Sequence, residues 1–277
     1  MSAFALAVVL ASAFQSTDTV VDVRPGDRVV IEQITGEITI TAWDRDALEL
    51  RAEPGGPGVV VRRSGTDLHV ENEGRARRRS ITAALRVPRW IDLEVESRRL
   101  DVSVAGVSGA MRIGSLSGDV SVRDVDGPLD VRTMRGEIVV VDARGTVRVS
   151  SQSDDVTLRR ISGPVEAHSG DGDLLLEDIQ AETVRVEAQD GDVTFSGTIT
   201  SGGDYGFFLH DGDATIAIPD ETSARVSVST FDGEFRSDFT VQVDRLRSGR
   251  ELDFVLGSGE ARLRIEVFDG EIRLLRR

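Results

Sequence analysis

Seven triplets of glycine, acid and apolar residue recur along the chain: Gly118-Asp119-Val120, Gly136-Glu137-Ile138, Gly172-Asp173-Leu174, Gly191-Asp192-Val193, Gly212-Asp213-Ala214, Gly233-Glu234-Phe235 and Gly270-Glu271-Ile272. Asp154-Asp155-Val156 keeps time between Gly136 and Gly172, so the intervals run 18, 18, 18, 19, 21 and 21 residues before the last beat. A unit this short cannot enclose a core of its own, so copies must stack and share one.

Aligned repeats give vertical columns of like residues. One is Val95, Ile113, Val131, Val149, Ala167 and Val186; a second is Val102, Val120, Ile138, Val156, Leu174 and Val193. A third is Val104, Val122, Val140, Leu158, Leu176 and Phe195, and a fourth Val107, Val125, Ala143, Ile161 and Ile179. Within a repeat these positions lie two apart, so alternate side chains of each strand face inward. Glycine in the turn supplies a positive φ, and the acid after it suits a solvated corner. Pro128 and Pro164 follow Gly127 and Gly163 at the opposite corner, where a missing donor is tolerated. Ser97, Ser115, Thr133, Ser151 and Ser169 precede the glycine turn. A hydroxyl there bonds the turn backbone, and its repetition argues for a structural duty rather than a nucleophile.

Parallel crossovers are almost always right-handed. The expected fold is therefore all-β: a right-handed single-stranded β-solenoid (β-helix) of about 18 to 21 residues per rung over residues 91–277. Its beat is lost near 238–260, an insertion around Arg247-Ser248-Gly249. Residues 19–90 alternate with turn signals and read as an irregular antiparallel β section that caps the stack, because an open end would expose unpaired backbone groups. Past Phe195 the repeats lengthen, and Tyr205, Phe207, Phe208, Phe231, Phe235 and Phe239 read as the filling of a wider core. Arg273, Arg276 and Arg277 after the last beat would discourage end-to-end strand pairing.

Composition narrows the function. A formal charge of −15 argues against a nucleic-acid partner, since binding phosphates needs a basic face. No cysteine is present, which excludes disulfides, thiolate metal sites, catalytic thiols and a lipid-modified N-terminal cysteine. Residues 1–18 read as a signal peptide and leader: Ala3 to Phe14 is apolar and ends in Ala11-Ser12-Ala13, which predicts cleavage after Ala13. A membrane span needs about 20 apolar residues, so no transmembrane segment is expected and the chain reads as exported.

Two constellations stand out. Asp171/Asp173, Asp190/Asp192 and Asp211/Asp213 form one Asp-Gly-Asp per repeat. Stacked corners would bring these carboxylates together, and hard oxygen ligands at that density suit Ca²⁺; the ordinary duty of Asp-Gly is a tight solvated turn. The same acids could bind a glycan or act as acid and base on one, but regular repeats leave almost no residues to build a cleft. Arg75, Arg77, Arg78 and Arg79, with Arg62 and Arg63 nearby, form a basic island suited to anionic headgroups or acidic glycans, or to a solvated hairpin loop. His69, His168 and His210 lack metal-ligand spacing.

Pro25-Gly26-Asp27, Thr35-Gly36-Glu37-Ile38, Trp43-Asp44, Ile91-Asp92-Leu93-Glu94-Val95 and the reiterated Ser-x-x-Gly-Asp-Val beats make the chain resemble the bacterial "putative adhesin" β-strand-repeat family, a domain of unknown function. The resemblance spans Thr19 to the C-terminus, with Leu100 and Asp154 standing where glycine is expected. It implies a β-solenoid in an envelope or secreted protein and carries over no catalytic or binding residue. The expected function is thus an adhesin-like, non-catalytic scaffold without a cofactor, contacting an unidentified protein or glycan at the envelope or cell surface. Rows such as Ser121, Arg123, Val139 and Val141 would face that partner.

Overall fold

The computed structural model describes residues 18–52, 58–72, 80–240, 243–247 and 251–277, with residues 18 and 243–247 described in their backbone only. Among these residues there are 25 strands, joined in one sheet of mixed pairing, and no helix. Val-rich alternation drives this: β-branched side chains suit a pleated surface, and the strands of the stack bury alternate residues, as in Val147–Ser151 and Leu129–Thr133.

The middle of the molecule repeats one pattern. Strands Asp92–Ser97, Met111–Ser115, Leu129–Thr133, Val147–Ser151 and Val165–Ser169 pair in parallel, each with the strand one repeat away. Strands Arg99–Ala105, Val120–Asp126, Ile138–Arg144, Val156–Ser162 and the start of Leu174–Asp190 do the same. Val131 sits opposite Ile113 on one side and Val149 on the other, and Val140 opposite Val122 and Leu158. All four aliphatic columns are buried. They extend further than the beat does: Ile31 continues the first column at one end, and Phe207, Ile265 and Val228 at the other.

Two corner devices turn each repeat. At the glycine corner, Gly136 has φ +138°, and a Cβ there would stand 2.1 Å from the Gly118 carbonyl oxygen, so the stacking distance itself excludes a side chain. At the other bend Asp124, Asp142, Arg160 and Asp178 each adopt φ of 50–57°. Aspartate tolerates this left-handed region better than most residues. Arg160 tolerates it less well, and its guanidinium is held by both oxygens of Asp142 at 2.7 and 2.8 Å.

The ends depart from simple succession. Residues 28–43 lie between two later segments: Arg28–Glu32 pairs in parallel with Asp92–Ser97 and with Asp67–Asn72, and Thr35–Trp43 with Arg99–Ala105 and Ile81–Pro88. The section before residue 91 is therefore mixed rather than wholly antiparallel. Antiparallel pairing is confined to its periphery, where Ala47–Ala52 meets Ile81–Pro88 and Asp18–Asp22, and Val59–Ser64 meets Asp67–Asn72. The far end mirrors this. Ala261–Asp269 pairs with Val193–Asp211 and Ala224–Asp232, and Ile272–Arg276 with Ala214–Ile218 and Phe235–Ser237. Glu251–Leu256 then closes Ala224–Asp232 in antiparallel fashion. The strand carrying Arg273 and Arg276 is thus internal, not a charged end. Arg273 reaches Asp213 at 3.4 Å, Arg276 reaches Asp220 at 3.1 Å, and Arg277 reaches Asp178 at 2.5 Å.

Candidate interaction surface

The serine and threonine column builds one edge of the stack. Ser115 donates to the Ser117 carbonyl at 2.9 Å, Thr133 to Gly136 at 3.2 Å and Ser169 to Gly172 at 2.8 Å, while Ser151 accepts from the Asp154 N–H at 3.2 Å. These hydroxyls are buried and spent on the turn, as their repetition implies.

Because the hydroxyl points inward, the next residue points out. In successive repeats that residue is Leu116, Met134, Gln152 and Gly170, each with its N–H on the neighbouring repeat: Leu116 on Ser97, Met134 on Ser115, Gln152 on Thr133 and Gly170 on Ser151, at 3.0–3.2 Å. Register carries the column through Gln189 and His210 to Phe268 and Phe231. Leu116, Met134, Phe231 and Phe268 are 43%, 52%, 54% and 49% exposed. The Phe231 and Phe268 rings lie 4.8 Å apart at 2°, and His210 stacks on Phe268 at 5.1 Å. The aromatic-rich end is therefore only partly core filling. Tyr205, Phe207 and Phe239 are buried, whereas Phe208, Phe231 and Phe268 reach the surface.

A groove runs beside this column. Its largest section, about 630 Å³, is lined by Ser150, Gln152, His168, Glu187, Phe208, His210, Glu266, Phe231 and Phe268 among others. A section of about 370 Å³ shares Ser150 and Gln152 with it and adds Leu116 and Met134. The floor is polar, and around His168 and Phe208 its charges are paired. His168 lies between Glu166 at 3.2 Å and Glu187 at 3.1 Å, with one ring nitrogen facing each carboxylate. The His168 hydrogen bond, against an opposing push from burial and with help from Arg148, holds Glu166 below the usual carboxylate range. Arg185 and Arg264 sit over the Phe208 ring at 5.0 and 5.7 Å and pair with Glu187 and Glu266. His168 and His210, far apart in sequence, thus share one groove, while His69 lies elsewhere, on Asp67–Asn72.

The acid row has a different setting. Asp173 accepts the Asp192 N–H at 2.9 Å, Asp192 accepts the Asp213 N–H at 2.8 Å, and Asp213 accepts the Glu271 N–H at 2.9 Å. The same bond links Asp101 to Asp119, Asp119 to Glu137 and Asp155 to Asp173 at 3.0 Å. Each carboxylate satisfies the backbone of the next repeat, where a glycine turn leaves an N–H to be met. Asp171, Asp190 and Asp211 are exposed beside this ladder. Among the described residues no group of three or more His, Cys, Asp or Glu is placed to hold a metal ion.

Arg75, Arg77, Arg78 and Arg79 lie outside the described residues, as do Ala3 to Phe14. Of their neighbours, Arg63 pairs with buried Asp27 at 2.8 Å and Arg62 with Glu71 at 4.0 Å. Val139 lies between Ser121 and Thr157, and Val141 between Arg123 and Arg159. Those neighbours leave both valines half-buried; most of the exposed large apolar side chains lie on the corner column instead. No helix of the described residues is long and apolar enough to cross a membrane.

Parallel, in-register stacking of short repeats with buried aliphatic columns defines a β-solenoid-like protein. The family description Toastrack DUF4097 matches residues 26–275, and the chain belongs to that family, in keeping with its likeness to the "putative adhesin" repeats. Solved structures similar to it include a "putative adhesin" from Bacteroides fragilis NCTC 9343, at 12% identity, covering 94% of this chain and 97% of that one with a TM-score of 0.40. Another is a "putative adhesin" from Parabacteroides distasonis ATCC 8503, at 12% identity, 95% and 98% coverage and a TM-score of 0.38. A "putative cell adhesion protein" from Clostridium sporogenes ATCC 15579 shares 10% identity over 95% of this chain and 100% of that one, with a TM-score of 0.24. No curated protein matches the chain.

Proposed function

We propose that this chain is an exported, non-catalytic, right-handed β-solenoid of about 18 to 21 residues per rung that works as an adhesin-like interaction scaffold at the cell envelope or surface. The observation that carries this reading is a groove flanked by a corner column in which Leu116, Met134 and Phe268 stay about half exposed on an otherwise charged molecule. Soluble proteins seldom leave such a row uncovered unless something docks on it. The right hand follows from the rule for parallel crossovers. Export is supported by the apolar run Ala3 to Phe14 with its Ala11-Ser12-Ala13 cleavage pattern. A binding rather than catalytic role is supported by the groove's acids and bases, which are tied to one another in ion pairs instead of being held ready for proton transfer.

Cell fractionation with N-terminal sequencing tests the core of this reading. A chain beginning just after Ala13, outside the cytoplasm and open to surface labelling or periplasmic release, is the expected result. A cytoplasmic product beginning at Met1 would overturn it.

A further inference from the structure

Beyond the scaffold reading, and independent of it, we propose that Asp232-Gly233 is a site of spontaneous backbone modification, where aspartate converts through a succinimide to isoaspartate and loosens the last strand of the stack. Aspartate followed by glycine is the pair most open to this reaction, because glycine carries no side chain to shield its nitrogen. The chain has six such pairs: Asp126-Gly127, Asp171-Gly172, Asp190-Gly191, Asp211-Gly212, Asp232-Gly233 and Asp269-Gly270. The dipeptide being the same in all six, the fold must choose among them.

Stacking disarms five of the six. The reacting nitrogen must shed its proton and turn toward its own aspartate, and a hydrogen bond opposes both. The Gly127 N–H is held by the Arg144 carbonyl at 2.8 Å, and the Gly172 N–H by the Ser169 hydroxyl at 3.2 Å. Gly191, Gly212 and Gly270 donate to the carbonyls of Asp211, Asp269 and Asp232, each at 3.1 Å. That succession ends at Gly233, whose N–H meets no acceptor among the described residues. Thr230 continues the hydroxyl column in register, yet its buried hydroxyl oxygen has no partner among the described residues. Where Ser169 braces the glycine three residues on, Thr230 leaves Gly233 bare. The layer is also the outermost at this corner: Glu251–Leu256 covers Ala224–Asp232 only as far as Ser229, and Phe235–Ser237 pairs with Ile272–Arg276 alone. Asp232 and Gly233 are both exposed, while the other five glycines are half-buried or buried.

In the reaction the Gly233 nitrogen attacks Cγ of Asp232. The N–Cγ bond forms, the Cγ–OH bond of the neutral carboxyl breaks, and one water leaves with the amide proton. A second water then opens the succinimide at either carbonyl. Opening at Cγ restores aspartate; opening at the former main-chain carbonyl leaves the chain running through Cγ, one methylene longer and unchanged in mass. The Asp232 carbonyl accepts the Gly270 N–H at 3.1 Å and the Glu234 carbonyl the Ile272 N–H at 2.8 Å. A methylene inserted between these acceptors upsets their spacing, and Phe235–Ser237 slips from its partner.

The test is ageing of the purified chain for weeks in warm, mildly acidic buffer, with isoaspartate located by electron-transfer fragmentation of its peptides. Isoaspartate should build up at 232 about fivefold or more faster than at any other Asp-Gly pair, the factor that one net hydrogen bond supplies. The six should level out in urea, where no layer shields them. Asp232→Glu, whose longer side chain closes its ring far more slowly, should remove the signal at 232 without moving the others. The Ile272 amide should exchange faster with deuterium in the aged chain, and not in aged Asp232→Glu. No modification at 232, another pair modified as fast in the folded chain, or a lead for 232 that persists in urea overturns the assignment. Unchanged exchange at Ile272 in chains that carry the modification overturns the loosening.

Discussion

At the scale of single residues, two glycines with positive φ separate conformational need from steric need. Gly65 has φ +62° and open space for 4 Å around the place a Cβ would take, whereas a Cβ on Gly136 meets a backbone carbonyl at 2.1 Å. Gly65→Ala should cost about 1 kcal/mol, the ordinary penalty of the left-handed region. Gly136→Ala should cost about 3 kcal/mol or more, because adjoining repeats must part; urea denaturation distinguishes the two. Asp27 supplies a pH prediction. Burial pushes its carboxyl up, but the Arg24 N–H and the Arg63 guanidinium together outweigh that and hold it below its usual 3.8. A carboxyl lowered in the folded state adds stability that is complete above the ordinary value and lost as pH falls through the lowered one. Denaturation midpoints should therefore drop on acidification from pH 5 toward pH 2, and Asp27→Asn should flatten part of that slope while lowering stability at pH 7. An unchanged slope would remove Asp27 from the account.

At the scale of strands, the columns decide where truncation hurts. Ile113 is buried between Val95 and Val131, and Ile113→Ala should cost about 3 kcal/mol. Leu116→Ala, three residues on but exposed, should stay within about 0.5 kcal/mol. Equal losses in thermal or chemical unfolding would contradict the assignment of inside and outside. The inward columns were legible in the sequence because in-register parallel stacking puts the same environment at every beat, so residue type repeats. The hydroxyl column was legible for the same reason. The corner column beside it was not, since solvent accepts Leu116, Met134, Gln152 and His210 alike and no residue type recurs. Its one signal was position, directly after each hydroxyl. The Asp-Gly-Asp row was visible too, but its use in bonding the next repeat's N–H groups depends on spacing that only coordinates supply. The ends were hidden because their partners follow no period: Ile31 lies against both Val70 and Val95, and the Gly270 turn stacks on Gly212 rather than on its predecessor Gly233 alone.

At the scale of the whole molecule, both ends follow one plan. Residues 28–43 at one end and 261–276 at the other are each held one layer inside, and antiparallel strands seal the layer beyond. Such sealing denies other chains an open strand edge. A chain truncated after Gly259 should therefore lose more than its missing strands. Ala224–Asp232 keeps only Glu251–Leu256 as a neighbour, and hydrogen exchange should show its amides unprotected while those of 111–169 stay slow, as nearest-neighbour coupling requires. Full protection of 224–232 in the truncated chain would mean that the inserted layer is dispensable. The arrangement also sets an order on assembly. Residues 261–277 act as a bolt that slides home only once they and the strands on either side of them, in 193–218 and 224–237, have emerged, whether from a ribosome or a translocation pore. Until then the far end stays unlatched, so a chain threading through a narrow channel would complete its structure on the side where it arrives.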